Sequence, residues 1–167
     1  MDFYLQKLHS AVTSVTEGMS REDLSRRAPG KWCVAELLEH LYLTYTGTSK
    51  GFERVLDAGA PMVSSPTLKH RLSTIVVVGL GHMPEGRKAP AHATPRGIAP
   101  EKVMTEIGAQ IAAMDEVIAR AEAKYGAQTR VLDHPILGPL TAAQWRKFHW
   151  VHGRHHLRQI HRLRERT

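Results

Sequence analysis

Cysteine is almost absent: Cys33 is the one thiol among 167 residues. That excludes an internal disulfide and suits a reducing cytoplasm, the expected location. No run of about 18 apolar residues occurs, so no membrane-spanning helix and no membrane partner are expected. The opening M-D-F-Y-L-Q-K-L-H lacks the basic-then-apolar order of a signal peptide. Internal repeats and low-complexity tracts are missing. No C-x-x-C-H motif occurs, which argues against covalent haem. The net charge is +7, but the basic residues are spread out, apart from Arg26–Arg27 and the tail R-L-R-E-R. A diffuse charge of this kind is no recognition head, so no specific nucleic-acid partner is expected.

What the chain does have is histidine, 11 of 167 residues. They concentrate in residues 140–164, which read as one long helix. Thr141 and Gln144 form a capping box at its start. At about 100° per residue, Trp145, His149, His152, His156, Gln159, Ile160 and Leu163 share one face. Arg146, Arg154, His161, Arg162 and Arg164 lie to the other sides. The inward face thus carries three imidazoles, each costly to bury without a partner. His152 and His156 are i and i+4, the spacing by which one helix offers two nitrogens to one metal ion. The Glu of an H-E-x-x-H protease motif is absent; Gly153 stands in its place.

Upstream, residues 2–17 read as a first helix, with Phe3, Leu5, Leu8, Val12 and Val15 on one stripe. Residues 20–27 form a short turn opened by Ser20 and Asp23. A second long helix runs from Val34 to Ala58 behind Cys33, a poor cap, and Glu36 at N3. His40 shares its face with Leu37, Thr44, Gly47 and Gly51, small neighbours that leave room for another helix or a ligand. Residues 66–78 read as a short helix capped by Ser65, although T-I-V-V-V at its end could locally pass for a strand. Residues 79–100 lack periodicity, and a connection of about twenty residues is either a functional cover or disordered. Its His82 and His92 read as solvated loop histidines. Residues 101–125 are a further amphipathic helix, and 131–139 an extended connector. The fold expected is all-α: one domain over residues 1–167, an up-and-down four-helix bundle with an extra short helix and a long loop.

Bundles build metal sites from side chains on facing helices. His40 with His152 and His156 would make a three-histidine site with open coordination positions, suited to zinc, nickel or iron. The competing reading is a set of core histidines bonded to carbonyls and to one another.

Two stretches carry a family resemblance. G-K-W-C-V-A-E-L-L-E-H-L resembles the first signature of the DinB-like superfamily, a Trp before a helix with a metal-binding His. H-G-R-H-H-L-R-Q-I resembles its second signature. D-H-P-I-L-G-P-L-T-A-A-Q-W is similar to the DUF1569 branch. The resemblance implies a DinB/YfiT-like four-helix bundle, a homodimer, and His40, His152 and His156 as ligands of a divalent metal, zinc or nickel foremost. It also implies a metal-dependent hydrolase or thiol S-transferase acting on a small molecule, with a low-molecular-weight thiol as a candidate cofactor. Cys33 departs from the usual Ser or Thr. His149 and His155 flank the ligand face and are the candidates for proton transfer; His149 is alternatively a fourth ligand or a core residue. A non-catalytic, metal-binding or stress-related bundle is the alternative function. Trp150, Val151 and Leu157, off the histidine face, are candidates for a partner surface.

Overall fold

The computed structural model describes residues 1–84, 86 and 88–165. Glu85 and Arg87 of the connection 79–100, and Arg166 of the basic tail, lie outside the described residues. The chain is mostly helical, with one small two-stranded sheet.

Local chemistry sets the helix ends. Asp2 accepts from the Tyr4 amide at 2.8 Å and opens α1, Phe3–Thr16. Leu5, Leu8, Val12 and Val15 are its buried stripe, while Phe3 stays outside. Ser20 and Asp23 make a complete capping box for α2, Arg21–Ser25. α3 spans Val34–Ala58, as expected, and closes on Gly59 in the left-handed region at φ 72°. The Glu36 carboxylate accepts from the Cys33 amide at 2.7 Å. α5 is Pro100–Tyr125 and α6 is Ala142–Arg164, the latter capped by Thr141 and Gln144. α3 packs on α5, α1 on both α6 and α5, and α3 meets α6. Val12, Leu38, Ile107, Ile111, Ile118 and Ile160 are among the apolar side chains sealed between them.

Three expectations are corrected. The helix placed at 66–78 begins later: α4 is Leu68–Thr74, because Thr67 rather than Ser65 accepts from the third amide, that of His70, at 3.1 Å. Its β-branched end is neither strand nor ordinary helix. Ile75–Gly79 winds as a π-turn, the Leu80 amide donating to the Ile75 carbonyl at 2.8 Å. The wider turn brings Val77 and Val78 inward and leaves Ile75 exposed.

The all-α expectation also gives way. The connector 131–139 is part of a hairpin, β1 (Arg130–His134) antiparallel to β2 (Gly138–Thr141). The connector is extended, as expected; its partner lies across its own turn. The His134 ring closes that turn, its Nδ1 accepting from the Ile136 and Leu137 amides, each at 3.1 Å. Gly138, at φ 70°, supplies the positive dihedral that lets the chain turn back. The Trp145 indole donates to the Leu132 carbonyl at 3.2 Å and ties the hairpin to α6.

Further along the His40 face of α3, the hairpin and the loop take the space left by the small residues. A side chain at Gly51 would meet Leu132 of β1 at 2.7 Å, and one at Gly47 would touch His92 at 3.7 Å. The small residues Gly47 and Gly51 admit the loop and the hairpin, while His40 itself faces α6, the neighbouring helix expected there.

Candidate metal centre

α3 and α6 lie side by side with their imidazoles turned inward. His40 Nε2 is 3.1 Å from His152 Nε2, and His156 Nε2 is 3.1 Å from the same atom. The three residues' ligand atoms lie within 4.8 Å of one another. Tetrahedral zinc at about 2.0–2.1 Å from each nitrogen would separate its ligands by roughly 3.3 Å. His40 and His152 are buried, and His156 is half-buried.

The nitrogens facing away decide what the converging ones can do. His40 Nδ1 donates to the Ala93 carbonyl at 2.7 Å. His156 Nδ1 donates to the Gln159 side-chain oxygen at 2.9 Å. These partners are acceptors, so they assign the proton to Nδ1 and leave a lone pair on each Nε2. The Gln159 amide nitrogen in turn donates to His155 Nε2 at 3.1 Å. His152 then stands between two acceptors. A proton on its Nε2 serves only one of them. A proton on its Nδ1 is buried with no partner among the described residues. Neither tautomer satisfies the cluster, whereas a cation would meet three lone pairs at once. The donor set fits a divalent metal ion.

Burial keeps these rings neutral, which ligation requires. It lowers the His40 pKa against the opposing pull of the Ala93 carbonyl, with His92 lowering it further. Burial, then repulsion from His156 and His40, holds His152 well below the usual range. Burial and His40 push His156 down to about 3.

Aromatic rings frame the cluster. Phe148 stacks on His152 at 5.4 Å and Trp32 leans on His40 at 5.2 Å. Gly153 completes the packing from α6: a side chain there would run into Leu8 of α1 and lie 3.2 Å from the Tyr45 hydroxyl.

The two proton-transfer candidates sit differently. His149 has no exposed surface; it stacks on Trp145 at 5.7 Å and meets Tyr45 edge-on at 5.6 Å. It is not one of the three clustered residues, and burial pushes its pKa to about 3. His155 is half-buried at the rim, against Gln159. Arg154 donates to the Gly81 carbonyl at 3.0 Å, which ties it to the loop. Val151 and Leu157 are buried within the chain, so neither serves a partner surface.

Four contributors escaped the sequence. His92 and His134 lie close enough to affect the cluster's charge. Glu39 is buried beside His40 and binds the loop. Arg146, placed to the side of α6, is buried against Asp115 and Glu122 at 3.2 and 2.6 Å. The periodicity of α6 put Arg146 away from the histidine face, and no local signal named its partners on α5.

Known proteins similar to this chain carry no assigned activity. The chain is 28% identical over 156 residues to "Uncharacterized protein YuaE" of Bacillus subtilis (strain 168), covering 89% of this chain and 88% of that one. No solved structure matches. The family model described as "Protein of unknown function (DUF1569)" matches residues 1–163, from the cap of α1 through the last turn of the histidine helix, and the chain belongs to that family.

Proposed function

We propose that this protein is a metal-dependent enzyme of the DinB-like superfamily, holding a divalent ion, zinc or nickel foremost, with His40, His152 and His156. The observation that carries this reading is the convergence of three Nε2 atoms whose opposite nitrogens on His40 and His156 are already committed to acceptors. The four long helices α1, α3, α5 and α6 would be the up-and-down bundle of that superfamily. Three protein ligands leave room for water or substrate, and a bound divalent ion supplies Lewis acidity that lowers the pKa of water or of a thiol. The reaction class is therefore hydrolysis or thiol transfer on a small molecule, with a low-molecular-weight thiol as candidate co-substrate, in the cytoplasm.

The chain's own groups take the remaining roles. Ala93 and Gln159 fix two ligand rings. His155, joined to His156 through Gln159, is placed to move a proton at the half-exposed edge. His149, sealed one turn below His152, would move a proton only through a path opened by motion.

The test is metal content. His156→Ala should lower bound metal after dialysis against a weak chelator, while helical circular dichroism persists. His161→Ala, on the exposed side, should change neither. Equal stoichiometry in wild type and His156→Ala would return the cluster to core histidines.

Burial of His40 and His152 favours the second reading, a non-catalytic metal-binding bundle. The cobalt-substituted protein separates the two: azide or a small thiol changes the visible spectrum only where a coordination position is open.

A homodimer belongs to the same proposal. Leu68, Leu72 and Ile75 are 73%, 56% and 57% exposed at i, i+4 and i+7, and Leu80 adds to the stripe at 76%. Leu72→Glu should then shift light scattering from dimer to monomer mass; a wild-type monomer at micromolar concentration refutes the dimer.

A further inference from the structure

Glu39 precedes the candidate ligand His40 on α3 and is 3% exposed. A buried carboxylate ordinarily needs a cation, yet among the described residues Glu39 makes no ion pair. Its two oxygens accept instead from two consecutive backbone amides, Arg96 at 2.8 Å and Gly97 at 3.1 Å. Both belong to the segment that follows the short 3₁₀ turn Ala91–Ala93. The carbonyl of Ala93, itself 3% exposed, is the acceptor for His40 Nδ1 at 2.7 Å. Two adjacent side chains of one helix therefore hold one loop at two points. Glu39 accepts from its amides and His40 Nδ1–H donates to its carbonyl.

The geometry points to Glu39 as a positioning residue of the metal centre, acting through the loop 93–97 to fix the His40 tautomer; this rests on the three-histidine reading. The physical chain is short. The Ala93 carbonyl keeps the His40 proton on Nδ1, and that leaves Nε2 as a lone pair facing His152 and His156. The carbonyl can do this only while its loop stays on α3. Inside 79–100, Pro90 and Pro95 offer no amide to a ladder, and the 3₁₀ turn is too short to hold the segment alone. The Glu39 grip supplies two charge-assisted hydrogen bonds at the far end of that segment. Residues of this kind, one step behind a ligand, typically change metal affinity 10- to 100-fold.

The experiment uses the full-length chain with Glu39→Gln and Glu39→Asp. Glutamine has one acceptor oxygen for two amides and no charge; aspartate keeps the charge on a shorter reach. Long-range proton–nitrogen NMR on the metal-free protein reads the His40 tautomer, and titration with cobalt(II) reads affinity. In Glu39→Gln, His40 should lose its pure Nδ1–H form and cobalt affinity should fall roughly tenfold. Glu39→Asp should recover part of both, which a packing defect alone would not do. Wild-type tautomer and affinity in Glu39→Gln, or lowered thermal stability alone, would overturn the proposal. Should Glu39→Gln fail to fold, wild-type tautomer and affinity in Glu39→Asp would overturn it equally. If wild type binds no more cobalt than His156→Ala, the metal reading fails, while the tautomer measurement still decides the role of Glu39.

Discussion

His40 and His152 stand 112 residues apart in the chain, and their Nε2 atoms are 3.1 Å apart. One proton on His152 Nε2 can bridge to His40 or to His156, each 3.1 Å away, but not to both, so a cation would satisfy the convergence better than any tautomer. A metal ion that binds the folded chain alone would stabilise it, by about 2.7 kcal/mol at a ligand concentration one hundred times Kd. For a chain of this size that is a rise in Tm of roughly 5–10 °C. Stripping metal with a strong chelator should lower Tm by that amount, and zinc should restore it. His156→Ala should show little response to either. A wild-type Tm indifferent to both treatments would count against the site.

Gly153 replaces the residue that would complete an H-E-x-x-H motif, and the reason is steric: Leu8 of α1 occupies the space of its side chain. Gly153→Ala should improve helix propensity by about 1 kcal/mol. Overpacking against Leu8 costs about 1–3 kcal/mol. Packing should win, and thermal unfolding should move down by a few degrees. A higher Tm for the alanine variant would show that α1 yields easily.

Legibility followed the range of the interaction. Val34–Ala58 and Ala142–Arg164 were readable because caps and periodicity act within one or two turns. His152 and His156 were readable for the same reason, and His40 because its helix and its resemblance both marked it. The hairpin was not, since Pro139 weakens the strand signal and the ladder forms across a turn held by a histidine ring. Glu39 looked like any helical carboxylate; only the arrival of two loop amides makes it a buried acceptor. Arg146 looked like a flanking charge until α5 brought Asp115 and Glu122 to it.

His134 should make stability depend on pH. Burial, and secondarily His92, lower its pKa from 6.5 to about 4. Its Nδ1 must stay unprotonated to accept two amides. The unfolded chain therefore takes the proton more readily than the folded one. The contribution is complete above pH 6.5, is lost as pH falls from 6.5 toward 4, and then levels off. A shift of that size corresponds to something on the order of 3 kcal/mol. In His134→Asn the amide oxygen can accept in place of Nδ1 and does not titrate. Urea unfolding at pH 7.5 and pH 5 should show a smaller difference for that variant than for wild type. Equal differences would mean that other histidines carry the whole effect.

Arg146 holds Asp115 at 3.2 Å and Glu122 at 2.6 Å, with only 10% of its side chain exposed. Asp115 also accepts from the Asp2 amide at 2.7 Å, so this cluster ties α5 and α6 to the start of α1. Replacing one partner of a buried pair strands the other and costs about 3–5 kcal/mol. Arg146→Met should fall at the lower end, because Glu122 is 27% exposed and Asp115 keeps its amide donor. Adding Asp115→Asn removes the more buried of the two stranded charges and should recover part of the loss. Chemical denaturation of the two single variants and the double variant measures the coupling. If the double variant loses the sum of the single losses, the cluster does not act as a unit, and Arg146 contributes through packing alone.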